Sequence, residues 1–136
     1  EYSGLVSFEP YLREQVKWLE EQIQDPAFQQ ARFRVCFLHI PPGKRPDPKF
    51  IRHQWLLDHV VPLLNQGKVD LLICAHTHKY AIHPAGHDGM NFPMIIGGTE
   101  TVIRCDVTAD QIRVNATDLS GKPLPQLPPV KPRAGE

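Results

Sequence analysis

Two apolar runs constrain this chain more than anything else in it: "RVCFLH", ending at His39, and "LLICAH", ending at His76. Each is short and carries apolar residues on both faces, as a strand buried between two layers must. Between them lies "FIRHQWLLDHVVPLLNQG", helical in its apolar period, where Pro62 is expected to end or kink the helix and Gly67 to stop it. Two buried strands joined by a helix predict parallel neighbours covered by helices, an α/β arrangement.

The flanking stretches fill in the order. "FEPYLREQVKWLEEQIQDP" predicts a helix with Pro10 in its first turn, Glu9 and Glu14 at the positive end of its dipole and Pro26 after its stop. Leu12, Val16, Leu19 and Ile23 make one apolar stripe along it. "IPPGKRPDPK" reads as a loop from its prolines and glycine. Beyond His78 the texture changes to "KYAIHP", "NFPMIIGG", "ETVIRCDV" and "QIRVNAT", short β-rich runs that predict an antiparallel meander. "LSGKPLPQLPPVKPRAGE" is rich in proline, so residues 1–118 are expected to form the domain portion and 119–136 an extended or disordered tail.

Composition excludes several classes. With 136 residues, 41% hydrophobic and 22% charged, the chain is long enough for a core of its own. Fifteen basic residues balance fifteen acidic ones and are scattered, which gives no steering toward nucleic acid or an anionic membrane. No apolar stretch approaches the roughly 18–20 residues of a bilayer span. Cys36, Cys74 and Cys105 are odd in number, lack CxxC spacing and sit among apolar neighbours, so they are expected to be buried free thiols.

Chemistry concentrates where the two strands end. Ligands of open α/β sheets gather at the C-terminal ends of the strands. Residues two apart in extended chain project to one side, so His76 and His78 are expected to face one site, joined by His39 if the strands are neighbours. Three converging imidazoles make a metal site for a borderline ion.

"VCFLHIPPG", followed further on by "LLICAHTHKY", resembles the second half of a calcineurin-like metallophosphoesterase, the superfamily that includes purple acid phosphatases. "YSGLVSFEPYLREQVKWLEEQI" resembles the family's helix-bearing segment before the single histidine. The resemblance covers residues 1–118 and implies half of a metallophosphoesterase-type α/β sandwich, parallel core strands with helices followed by an antiparallel β segment. It implies that His39 and His76 ligate one metal of a dinuclear pair and His78 the other. Such pairs stand about 3.5–4 Å apart, clamp a phosphoryl oxygen and activate water for in-line attack. Zn, Mn or Fe is the implied cofactor and a phosphate ester the implied substrate.

Ala75 replaces the glycine of the family's GHxH motif. The family's earlier motifs, DxH, GDxxD and GNH[DE], do not occur in this sequence. They supply a bridging Asp, further ligands and the His assigned as general acid. The chain is therefore expected to lack most of the ligands and the proton donor, to need an N-terminal half, and to be inactive alone. Its bare sheet edge is expected to favour self-association. The alternative is a non-catalytic module in which the three histidines bridge a dimer through one metal or serve binding.

The remaining polar features carry blander readings. His53 and His59 lie six apart on the second helix, on different faces, and are expected to be surface or interface residues. His83 and His87 flank a Pro/Gly loop that is either solvated or borders a pocket, and Tyr80 is expected to pack beside the site. Lys44 and Arg45 follow His39 closely and read as a solvated turn, with phosphate attraction the alternative.

Overall fold

The computed structural model of the protein describes residues 8–44 and 51–132. Arg45, Phe50 and the opening "EYSGLVS", which carry parts of the readings above, lie outside them. Helix α1 (Glu9–Gln22) has Glu9 and Pro10 in its first turn, where the proline's missing N–H would have no helical partner anyway. Its stripe turns inward: Val16 and Leu19 pack on the core, and Ile23, just past the last turn, is buried. Pro26 does end α1, but it also opens α2 (Pro26–Gln30), because the Asp25 side chain accepts from the Ala27 and Phe28 amides.

Helix α3 (Ile51–His59) and helix α4 (Val61–Gln66) divide the crossover at Pro62, which sits in the first turn of α4. Gly67 follows α4 with φ −70, and Lys68 takes the left-handed turn at φ 52. Gly67 is required for space, since a Cβ there would stand 2.7 Å from Ile23 Cγ2. Among the described residues no helix is long and apolar enough to cross a membrane.

Strands β1 (Val35–Phe37), β2 (Leu71–Cys74), β3 (Ala81–His83) and β4 (Met94–Ile96) form one sheet in the order β1-β2-β4-β3. The β1/β2 and β2/β4 pairs are parallel, and β3 runs antiparallel to β4. Strands β5 (Thr101–Val107) and β6 (Ile112–Asp118) form a separate antiparallel hairpin. Alternation along the strands builds two cores. Leu72, Cys74, Met94 and Ile96 face the helices with Val61, Leu64 and Phe92, whereas Leu71 and Ile95 face Ile112, Val114 and Ala116 of the hairpin. The layers are therefore helix, sheet and hairpin, the mixed α/β class read from the sequence.

Two expectations need correction. The segments after His78 do not form one meander: β4, apolar on both faces, inserts beside β2 as a third parallel core strand. And β1 is not buried on both faces. Among the described residues it is an edge strand whose Cys36 packs toward the helices, while Val35 and Phe37 on the other face are 37% and 72% exposed.

The proline-rich segment after Asp118 runs extended along β6. Ile112 and Val130 exchange two backbone hydrogen bonds, the Leu124 amide donates to the Ala116 carbonyl, and Leu127 enters the core. Its prolines cannot extend the ladder further, which blunts that edge of the second sheet.

Candidate metal centre

The parallel register places Val35 beside Leu71 and Phe37 beside Ile73. Pairing continues past both strands, with the Leu38 amide donating to the Ile73 carbonyl and the Ala75 amide to the His39 carbonyl at 3.1 Å. His39 and His76 thus leave the sheet side by side at its C-terminal end. His39 Nε2 lies 3.1 Å from His76 Nδ1, and the rings meet edge to face with centroids 4.9 Å apart.

His76 is not in extended chain. Its φ is 66, and the Thr77 amide donates back to the Ala75 carbonyl at 2.7 Å, closing a three-residue turn centred on His76. His78 is also left-handed, at φ 59. A non-glycine residue held in this region costs about 1–3 kcal/mol, and such strain concentrates at functional sites. The extended-chain reason for pairing His76 with His78 therefore fails. Among the described residues His78 makes no hydrogen bond or ring contact with His39 or His76, although its charge acts on His76. Ala75 is outside the left-handed region, so alanine meets no backbone strain where the family motif has glycine.

One residue that the sequence analysis did not name and one that it placed at the surface build this end of the sheet. Gly98, following β4, lies against the backbone after the HxH, and a Cβ there would stand 2.9 Å from the Tyr80 amide nitrogen. The GG pair at a strand's C-terminal end was the available signal. His53, expected at the surface or an interface, is buried on α3, and its ring lies 5.8 Å from that of His76. Nothing in a helical heptad of mixed polarity marks it, because the loop that buries it comes from elsewhere in the chain.

The other candidates lie apart from the pair. His59 is exposed and stacks on Trp55 at 4.7 Å. His83 and His87 stack at 4.1 Å and, with Lys44 and Asp88, line a cavity of about 280 Å³ floored by Met94 and Ile96. The Lys44 amide donates to Asp88 Oδ2 at 3.0 Å, which fastens the far end of the loop that follows His39. Tyr80 donates its hydroxyl to the Pro125 carbonyl and packs against the hairpin core.

Titration favours neutral imidazole at His76 and disfavours a thiolate nucleophile. Desolvation, then electrostatic interaction with His39, His53, His78 and Arg52, holds His76 below the usual histidine range, which favours the neutral ring with a lone pair on one nitrogen. Burial pushes the Cys36 thiol up to about 11, and burial together with the neighbouring Cys36 pushes Cys74 up to about 12. Cys105 is exposed, a correction to the expected buried thiol, and its pKa is also raised, by desolvation and then by Asp106.

Among the described residues no group of three or more His, Cys, Asp or Glu side chains is arranged to hold a metal ion. The His39–His76 pair fits as part of one. Nitrogens 3.1 Å apart match two neighbouring ligands on one ion, each about 2.0–2.1 Å from it. The same spacing accommodates an N–H···N hydrogen bond between two neutral rings of complementary tautomers.

A family model, calcineurin-like phosphoesterase, matches residues 3–80, more than half of the chain, and the chain belongs to that family. A search of the curated proteins found no match. The family is one of phosphoesterase-type hydrolases that generally use divalent metal ions. The matched span contains α1 to α4, β1, β2 and all three histidines read from the sequence.

Proposed function

We propose that this chain contributes His39, His76 and His78 to a dinuclear metal centre that hydrolyses phosphate esters. His39 and His76 would hold one ion and His78 the other. The observation that carries the reading is the 3.1 Å approach of His39 Nε2 and His76 Nδ1 where two parallel strands end. Zn, Mn or Fe, when bound, supplies the Lewis acidity that polarises a phosphoryl oxygen and acidifies water.

The chain's own residues have simpler tasks. His39 and His76 would offer ring nitrogens as ligands, and the turn centred on His76 fixes the course of the backbone that carries its ring. Arg52, close enough to act on His76, and Lys44, on the loop after His39, add positive field for a phosphate anion. The family's DxH, GDxxD and GNH[DE] motifs do not occur in this sequence, so the remaining ligands and the leaving group's proton would come from other polypeptide. The chain alone would then be inactive.

That missing portion would cover Val35 and Phe37 and extend the open edge of β1. Without it, the isolated chain should self-associate, because an exposed strand edge with apolar neighbours recruits another surface. Sedimentation velocity at high protein concentration should give dimers or larger species, and a monomer throughout would contradict this. The rival reading, a metal-bridged dimer or binding module, differs in metal content. It expects about one ion per chain or per dimer, against two per native-length chain for the enzyme.

A further inference from the structure

We propose that His53 is a positioning residue for the His39–His76 pair, clamping the loop after His39 through both its ring and its main chain. Its functional consequence rests on the reading of that pair as metal ligands. His53 is 3% exposed, and its Nδ1 lies 2.6 Å from the Pro41 carbonyl oxygen. A carbonyl only accepts, so Nδ1 carries the hydrogen of this bond. The Gly43 amide donates to the His53 carbonyl at 3.2 Å, so one residue of α3 grips the loop at two points.

Pro41 stiffens the stretch between these ties and His39, because it fixes its own φ and restricts Ile40 before it. Few free torsions therefore separate a displacement at Pro41 from His39. The His53 ring also lies 5.8 Å from the His76 ring at an interplanar angle of 56°. His76 accordingly has His39 and His53 as ring neighbours, one on β1's loop and one on α3. This is how outer-shell groups commonly hold metal-binding imidazoles, by fixing the tautomer and the backbone around them.

The test uses native-length protein with nitrogen-15-labelled histidine, first free of metal and then titrated with Co²⁺. Wild-type His53 should show a protonated, exchange-protected Nδ1. Asparagine places an amide nitrogen near the position of Nδ1, and glutamine places one near that of Nε2. His53→Asn should keep the His39 Nε2 and His76 Nδ1 signals near their wild-type positions. His53→Gln should shift both signals and weaken Co²⁺ binding by about 10–100-fold, whereas His53→Asn stays within about threefold of wild type. A wild-type His53 with no proton on Nδ1 would overturn the inference, with no variant needed. Equal effects of the two substitutions on the ring-nitrogen signals would also overturn it. Wild-type protein that binds no Co²⁺ would refute the metal reading instead, while the metal-free signals still decide the role of His53.

Discussion

Replacing His76 by alanine is expected to weaken Co²⁺ binding to the native-length protein by more than about a hundredfold. Groups that merely support a ligand typically cost about 10–100-fold when removed, so loss of the ligand itself should cost more. The fold should survive, because His76 is exposed and packs no core. Its left-handed backbone at φ 66 strains alanine as it strains histidine, and glycine relieves that strain. His76→Gly is therefore the companion variant: it should match His76→Ala in lost metal affinity and equal or exceed it in stability. Absorption titration with Co²⁺ and a thermal melt read the two effects separately. Wild-type affinity in either variant would remove His76 from the ligand set.

Phe92→Ala should cost about 3–5 kcal/mol of stability. Phe92 is 1% exposed and sits in the core between the sheet and the helices. A loss of that size is a large share of the roughly 5–15 kcal/mol that holds an ordinary domain together. Phe37 provides the contrast within one residue type. It is 72% exposed, so Phe37→Ala in the isolated chain should stay within about 0.5 kcal/mol of wild type. Urea unfolding of both variants measures the difference. A cost near that of Phe37→Ala at Phe92 would mean that this face of the sheet is not packed as described.

The parts of the fold that were legible in the sequence are those in which local pattern and tertiary role agree. "LLICAH" is apolar on both faces and became a central strand, and Pro62 split its helix where ring sterics require it. The failures arise where one pattern serves two environments. "RVCFLH" looks as buried as "LLICAH", yet β1 is an edge with Phe37 in solvent, because strand order is not written in local periodicity. "NFPMII" was grouped with its antiparallel successors, although its two-sided apolarity was the mark of a core strand.

At the site, the approach of His39 to His76 followed correctly from adjacent parallel strands. The expectation for His78 assumed extended backbone, which the turn centred on His76 replaces. His53 was missed because its burial depends on a loop twelve residues away in sequence. Helical spacing describes which side of α3 it occupies and says nothing of what covers that side.

Metal content bears most directly on the central claim that these histidines form a phosphoesterase's metal centre. Native-length protein and its His76→Ala variant would be purified in parallel from the native cell, and their bound metals counted by mass spectrometry. About two ions per wild-type chain are expected, with a clear fall in the variant. Equal metal content in the two proteins would contradict the assignment of His76 and, with it, the site built on the His39–His76 pair.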